Sequence, residues 1–151
     1  MKKILFVCHG NICRSPMAEF VLKDMVKKAG LSDEFLIASA ATSTEEIGNP
    51  VYPGTRKRLA KENISVVGKY AVQIKRSDYE KYDYLIGMDS RNIANMLHVF
   101  GSDPDGKICR LLDYTSSPGD IADPWYTGDF DLTYDDVCAG CKAFLGKKSW
   151  N

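Results

Sequence analysis

Four consecutive apolar residues, Ile4-Leu5-Phe6-Val7, run into Cys8 with no polar alternation. A strand with one wet face alternates apolar and polar side chains, so an unbroken run asks for cover on both faces. That restricts the chain to folds in which helices blanket a sheet. The rest of the sequence supplies such helices. Ser15 reads as an N-cap and Pro16 as the first helical position, with Ala18, Val21, Leu22 and Met25 as an i, i+3, i+4, i+7 core stripe and Gly30 as its stop. Further strands are expected at residues 35–39, 84–88 and 107–112, after a first one at 3–7. A loop at 49–54 leads into a basic helix through Leu59 and Ala60. Asp89 and Ser90 open a helix carrying Ile93, Met96 and Leu97. A long Pro, Gly and Asp-rich loop at 116–131 precedes a last helix at 132–145, with Val137, Cys141, Phe144 and Leu145 inward. Strands alternating with helices give an α/β class: a single-domain, twisted, mainly four-stranded parallel sheet with helices on both faces, the three-layer flavodoxin- or Rossmann-like arrangement. One domain over residues 1–151 is expected from the length.

Charge and composition remove several functions. Twenty basic and twenty acidic residues cancel, and no basic stripe appears, so a nucleic-acid partner is not expected. The apolar run near the start is too short for a signal peptide or a membrane span, so a cytoplasmic location without membrane attachment is expected. Five cysteines cannot all pair internally, and in a reducing compartment they should be thiols. His9 and His98 are the two histidines, there is no H-x-x-x-H or paired C-x-x-C set, and no metal or other cofactor is expected.

Parallel sheets bind ligands at the carboxyl ends of their strands, which directs attention to the loop after the first strand, C-H-G-N-I-C-R-S from Cys8 to Ser15. Gly10 lets such a loop curl so that backbone N–H groups of His9, Gly10, Asn11, Ile12 and Cys13 and of the helix start converge on one anion. G-x-x-x-x-G-K is absent; the cradle holds a thiol and a guanidinium instead. Arg14 offers paired planar donors that match two phosphate oxygens. Cys8 lies at the floor, where converging N–H dipoles and Arg14 favour the thiolate, placed for in-line attack on phosphorus. Such a reaction needs a proton for the leaving group, and the loop has no acid. Asp123, in the late loop, can supply a carboxyl, and Trp125 and Tyr126 beside it can wall a slot for an aromatic ring.

The string V-C-H-G-N-I-C-R-S-P closely resembles the signature loop of the low-molecular-weight protein tyrosine phosphatases. The resemblance spans residues 3–145 and includes S-A-A-T-S-T-E-E-I-G from Ser39, M-D-S-R-N from Met88, and D-P-W-Y from Asp123. It implies that Cys8 is the nucleophile forming a phosphocysteine, that Arg14 binds phosphate, and that Asp123 is the general acid. It further implies that Ser15 hydrogen-bonds the Cys8 sulfur and eases its departure, that Asn11 braces the loop with help from Ser39, and that Cys13 can form a reversible disulfide with Cys8 under oxidation. The implied partner is a phosphotyrosine-containing protein or a small aryl phosphate, handled by a monomer.

Three positions depart from the family's habit. Glu45, followed by Glu46, stands where an aromatic often forms a second slot wall, which points towards phosphotyrosine with basic neighbours. Lys69 and Val72 stand where many members carry a histidine and an arginine. Arsenate reduction on the same scaffold needs two more cysteines, and residues 77–88 contain none. Arginine phosphatases resemble C-x-G-N-T-C-R, and Ile12 occupies the threonine's place, which favours tyrosine. A non-catalytic phosphopeptide-binding module should have lost Cys8 or Asp123. Other features read more simply as structure: Cys138 and Cys141 as an i, i+3 mid-helix pair with Cys141 packed in the core, Cys109 as a buried strand residue, and Arg56-Lys57-Arg58 as a solvated helix face, while His9 at the site mouth is either a substrate contact or an exposed spectator.

Overall fold

The computed structural model describes residues 1–146. The chain runs β1 (Lys2–Cys8), α1 (Arg14–Lys28), β2 (Phe35–Ala41), α2 (Pro53–Ala60), α3 (Asp78–Lys81), β3 (Tyr84–Gly87), α4 (Ser90–Phe100), β4 (Ile108–Arg110), α5 (Pro124–Thr127) and α6 (Phe130–Leu145). All strand pairings are parallel, in the order β2-β1-β3-β4. The expected four-stranded parallel sheet is therefore present, and β1 is central, as its uninterrupted apolar run requires.

The period of two along β1 divides the core. Ile4, Phe6 and Cys8 face α1, α2 and α6, among Met17, Leu22, Leu59, Val137 and Phe144. Leu5 and Val7 face the other way, onto Tyr79 and Tyr82 at α3 and Met96 and Phe100 of α4. The chain crosses from β1 to β2 on one side and reaches β3 on the other, so the carboxyl end of β1 is the sheet's switch point. Cys8 sits there, with its C=O accepting from the Thr42 N–H at 2.9 Å.

Several expected boundaries shift for identifiable reasons. Helix α1 begins at Arg14 with Cys13 as N-cap, so Ser15 is not the cap and Pro16 is the third helical position. The Ser15 hydroxyl is used elsewhere, against Cys8. In the α1 stripe Met25 is half-buried and Val26 takes the deeper place. Leu97 of α4 is 39% exposed, while Phe100 is buried. Strand β4 is cut short by the turn Leu111–Tyr114, whose Leu111 is fully buried. The late loop contains α5, because Asp123 caps it and Pro124 fits its first position. Cys109 is half-buried rather than buried. Arg58 is not simply solvated: its Nε meets Asp131 at 2.7 Å and its guanidinium stacks on Tyr134 at 3.9 Å, tying α2 to α6.

Helix α6 approaches the sheet's edge closely at Gly140. A Cβ there would lie 2.4 Å from Leu111 Cγ, in a fully buried place where no flexible tip can swing aside. Gly140→Ala is expected to lower stability by about 1–3 kcal/mol, read as a fall in urea midpoint at unchanged m-value. Gly119→Ala, which meets nothing within 4 Å, should stay within about 0.5 kcal/mol of the parent.

Candidate active site

The loop from Cys8 to Arg14 is held in shape from behind. Asn11 adopts φ 59°, a left-handed conformation that asparagine tolerates better than most residues. Its amide is buried and committed. Oδ1 accepts from the Val72 N–H at 3.2 Å, which fixes the amide's orientation, and Nδ2 donates to Ser15 Oγ at 2.7 Å and Ser39 Oγ at 2.9 Å. Because the Ser15 oxygen already accepts from Asn11, its proton is available to the Cys8 sulfur 3.0 Å away. The Asn11 N–H also points at that sulfur, at 3.3 Å. The side chains of Asn11, Ser15 and Ser39 thus lie behind the loop, and none of them lines the cleft in front of it.

Behind these residues lies a group that the sequence did not single out. Glu19 of α1 is buried, accepts from Ser39 Oγ at 2.6 Å and pairs with Lys23. Lys69 donates to the Ser39 C=O at 2.8 Å and lies 3.8 Å from Glu19. Burial pulls the Lys69 ammonium below its ordinary range, and the nearby Glu19 carboxylate opposes that pull. The position that departs from the family's histidine is therefore occupied by a lysine inside the same support. An acidic residue four positions after Ser15, in an otherwise buried stretch of helix, was the available signal for Glu19.

Arg14 is only 3% exposed. Its Nη1 donates to Asp89 Oδ2 at 2.6 Å and to the Ile121 C=O at 2.9 Å. Asp89 does two jobs, since its Oδ1 also caps α4 through the Asn92 N–H at 2.8 Å. Burial works against the guanidinium's charge, but Cys8 and the two aspartates outweigh it and push its pKa up, so Arg14 is charged at any working pH. Nη2 lies 3.5 Å from Asp123 Oδ2, longer than a charge-assisted hydrogen bond, and stays open to a ligand oxygen. Asp123 Oδ1 accepts from the Trp125 N–H at 3.0 Å, which turns Oδ2 towards Arg14.

These residues meet in one cleft of about 130 Å³, the size class of a cavity that takes one benzene-sized ring. Cys8, His9, Gly10, Ile12, Cys13 and Arg14 form the floor and near wall. Asp123, Trp125 and Tyr126 from the late loop, and Glu45 and Glu46 from the turn after β2, line the rest of it. Trp125 and Tyr126 are 53% and 84% exposed, so neither is spent on the core; Trp125 rests edge-on against Tyr52 at 5.1 Å. His9 Nε2 meets Glu45 Oε2 at 2.6 Å. The chemistry available is an anion cradle around a sulfur, with a carboxyl within reach of the same space. Among the described residues no cluster of three His, Cys, Asp or Glu side chains could hold a metal ion.

Cys13 also borders the cleft. Burial, followed by the neighbouring Cys8 and Asp123, pushes its thiol up to about 12. Its neutral form should persist through pH 7–9, so iodoacetamide on the folded protein is expected to leave Cys13 unmodified there, with label appearing only as pH rises well above 9. Peptide mass mapping reads this directly. Removing the Ser39 hydroxyl in Ser39→Ala takes away one of the two bonds of Asn11 Nδ2 and the hydrogen bond to Glu19 Oε1, and should cost about 1–3 kcal/mol in urea unfolding.

The chain is 41% identical over 147 residues to the low molecular weight protein-tyrosine-phosphatase YfkJ of Bacillus subtilis, covering 96% of this chain and 94% of that protein. The crystal structure of YfkJ matches with TM-score 0.92 at 40% identity, over 96% of this chain and 92% of that one. SP-PTP, a low molecular weight protein tyrosine phosphatase from Streptococcus pyogenes, matches with TM-score 0.89 at 43% identity over 99% and 97%. PtpA of Staphylococcus aureus, also a low molecular weight protein-tyrosine-phosphatase, is 34% identical over 142 residues, 93% of this chain and 90% of that protein. The family model described as low molecular weight phosphotyrosine protein phosphatase matches residues 3–149, and with the signature loop set as above the chain belongs to that family.

Proposed function

We propose that this protein hydrolyses phosphotyrosine and related aryl phosphate monoesters through a phosphocysteine intermediate. The observation that carries the reading is the convergence of Cys8, Arg14 and Asp123 on one ring-sized cleft from three distant parts of the chain. In the first step the Cys8 thiolate attacks phosphorus, an S–P bond forms and the P–O bond to the phenol breaks. Asp123 gives its proton to the departing oxygen. Arg14 Nη2 and the loop's backbone N–H groups other than that of Asn11 hold the three non-bridging oxygens through the transition state, and Arg14 Nη1 keeps the guanidinium fixed against Asp89 and Ile121. In the second step ionised Asp123 takes a proton from water as the water attacks phosphorus. Sulfur leaves as thiolate, met by the Ser15 hydroxyl and the Asn11 N–H. Charge is balanced throughout by the guanidinium and fixed dipoles, so the chain's own residues suffice for each step.

The aromatic side chains support an aryl substrate. Trp125 and Tyr126 stand exposed beside the acid, where a phosphotyrosine ring can lie between them and the turn carrying Glu45. Ile12 lines the cleft and is buried, presenting an apolar surface suited to a ring rather than to a guanidinium. No helix among the described residues is long and apolar enough to cross a membrane, which agrees with a substrate met in water. We take the chain to act as a monomer, since the cleft is completed by residues of one chain.

Cys8→Ser is expected to abolish turnover of p-nitrophenyl phosphate, and wild-type rates in that variant would overturn the mechanism. Asp123→Asn should slow phenyl phosphate by about 10²–10⁴-fold and p-nitrophenyl phosphate much less, because a good leaving group needs no proton. In a panel of phosphotyrosine, phosphoserine and phosphoarginine peptides, phosphotyrosine should show the highest kcat/KM. A clear preference for phosphoarginine would replace the tyrosine reading.

A further inference from the structure

A cleft built for a phosphate dianion is walled on one side by two carboxylates, Glu45 and Glu46. Like charge at the mouth of an anion site raises the cost of bringing the substrate in. Both acids are nevertheless fastened to the loop that forms the site. The Ser43 N–H and hydroxyl donate to the His9 C=O at 3.0 and 2.8 Å, and the Glu45 N–H donates to Ser43 Oγ at 3.4 Å. Glu45 Oε2 is held by His9 Nε2 at 2.6 Å, while Glu46 Oε2 accepts from Asn49 Nδ2 at 2.5 Å and Glu46 Cγ packs over Gly10. Each carboxylate thus uses one oxygen for its own placement. The Oε1 atoms enter no hydrogen bond among the described residues, and the Glu45 side chain is 67% exposed.

The other charges around the opening do not cancel these acids. Arg14 is buried and committed to Asp89. A hollow on the far side of His9 and Asp123 adds Asp89, Arg91 and Asp120, of which Asp120 is taken by Arg110 and Ser90. Arg91 belongs to that hollow and not to the wall formed by Glu45 and Glu46. The mouth therefore carries two exposed aromatics together with two positioned acids, Glu45 exposed and Glu46 half-buried.

We propose that Glu45 and Glu46 are specificity-determining residues that select phosphotyrosine segments carrying lysine or arginine within a few residues of the phosphotyrosine. This rests on the phosphatase reading above and names its substrate class. The substrate cation supplies the donors that the free Oε1 atoms lack, and arginine suits them better than lysine because its planar fork reaches two oxygens at once. Exposed pairs are individually weak, so the two acids together should give about a tenfold preference.

The test compares kcat/KM of the full chain on matched peptides whose phosphotyrosine is flanked by arginine, alanine or glutamate. The order expected is arginine, alanine, glutamate, with an arginine-to-glutamate ratio of about tenfold at low salt that shrinks towards one near 1 M salt. Glu45→Gln with Glu46→Gln should bring the ratio to about twofold or less, and Glu45→Lys with Glu46→Lys should invert it. Because the ratio is internal to each variant, altered folding or overall rate does not disturb it, and the wild-type salt series stands without any variant. A wild-type ratio near one, or a ratio unchanged in the glutamine variant, overturns the proposal while leaving phosphotyrosine hydrolysis intact. Turnover of phosphoarginine but of no phosphotyrosine peptide overturns both.

Discussion

The buried amide of Asn11 holds the site together. A left-handed residue in the middle of a loop is costly unless its surroundings over-determine it. Here three hydrogen bonds do so, from Val72, to Ser15 and to Ser39, drawing on three separate parts of the chain. Their consequence reaches the sulfur. With Asn11 in place, its own N–H and the Ser15 hydroxyl both aim at Cys8, and the backbone curls around the space above. Without it, the loop has Gly10 on one side and no internal regular structure to resist collapse.

The sheet contributes rigidity and the helix ends contribute charge placement. Cys8 is both the last residue of the central strand and part of the core, so its position inherits the stiffness of the sheet. Arg14 begins α1 at the same place, yet its guanidinium is anchored by Asp89 at the start of α4 and by the loop leading to α5. One ion pair therefore joins the carboxyl ends of β1 and β3 and draws Ile121, two residues before Asp123, into the site. The Ile121 N–H donating to the Met88 C=O at 2.9 Å closes that loop against the sheet. The acid of D-P-W-Y borders the same cleft as the sulfur of C-H-G-N-I-C-R-S, with Arg14 holding the Ile121 carbonyl two residues before it, and a structure that lost the Arg14–Asp89 pair would loosen both halves.

This division explains what could be read from the sequence. The central strand, the alternation of strands and helices, and the loop chemistry are local patterns, and the expected Cys8, Arg14 and Asp123 do meet in one cleft. The misjudged elements depend on partners distant in the chain. Ser15 looked like a cap because its type favours caps, but Asn11 and Cys8 claim its hydroxyl. Arg58 looked solvated because its helix is basic, whereas Asp131 and Tyr134 lie more than seventy positions on. Asp89 was read as the start of a helix, which is correct, but its second oxygen serves Arg14 and nothing in its neighbourhood announces that. His9 was legible only as a residue at the site mouth, and its partner Glu45 comes to it through the turn after β2.

Lys69 shows how an energetic cost can mark a role. A lysine whose pKa is lowered in the folded state favours the neutral form there. Its stability contribution is full above the unfolded value, near 10.4, and is lost as pH falls through the lowered folded value. At neutral pH the charge on Lys69 thus carries a burial cost that Glu19 only partly offsets. An apolar residue on the same stem would avoid that expense. What it could not do is donate to the Ser39 carbonyl and balance Glu19, which in turn holds the Ser39 hydroxyl against Asn11. The charge is spent on keeping the loop's brace taut from the rear. Two side chains that sequence habit would have supplied as histidine and arginine are here a lysine and a valine whose N–H grips Asn11, so the brace survives with different chemistry.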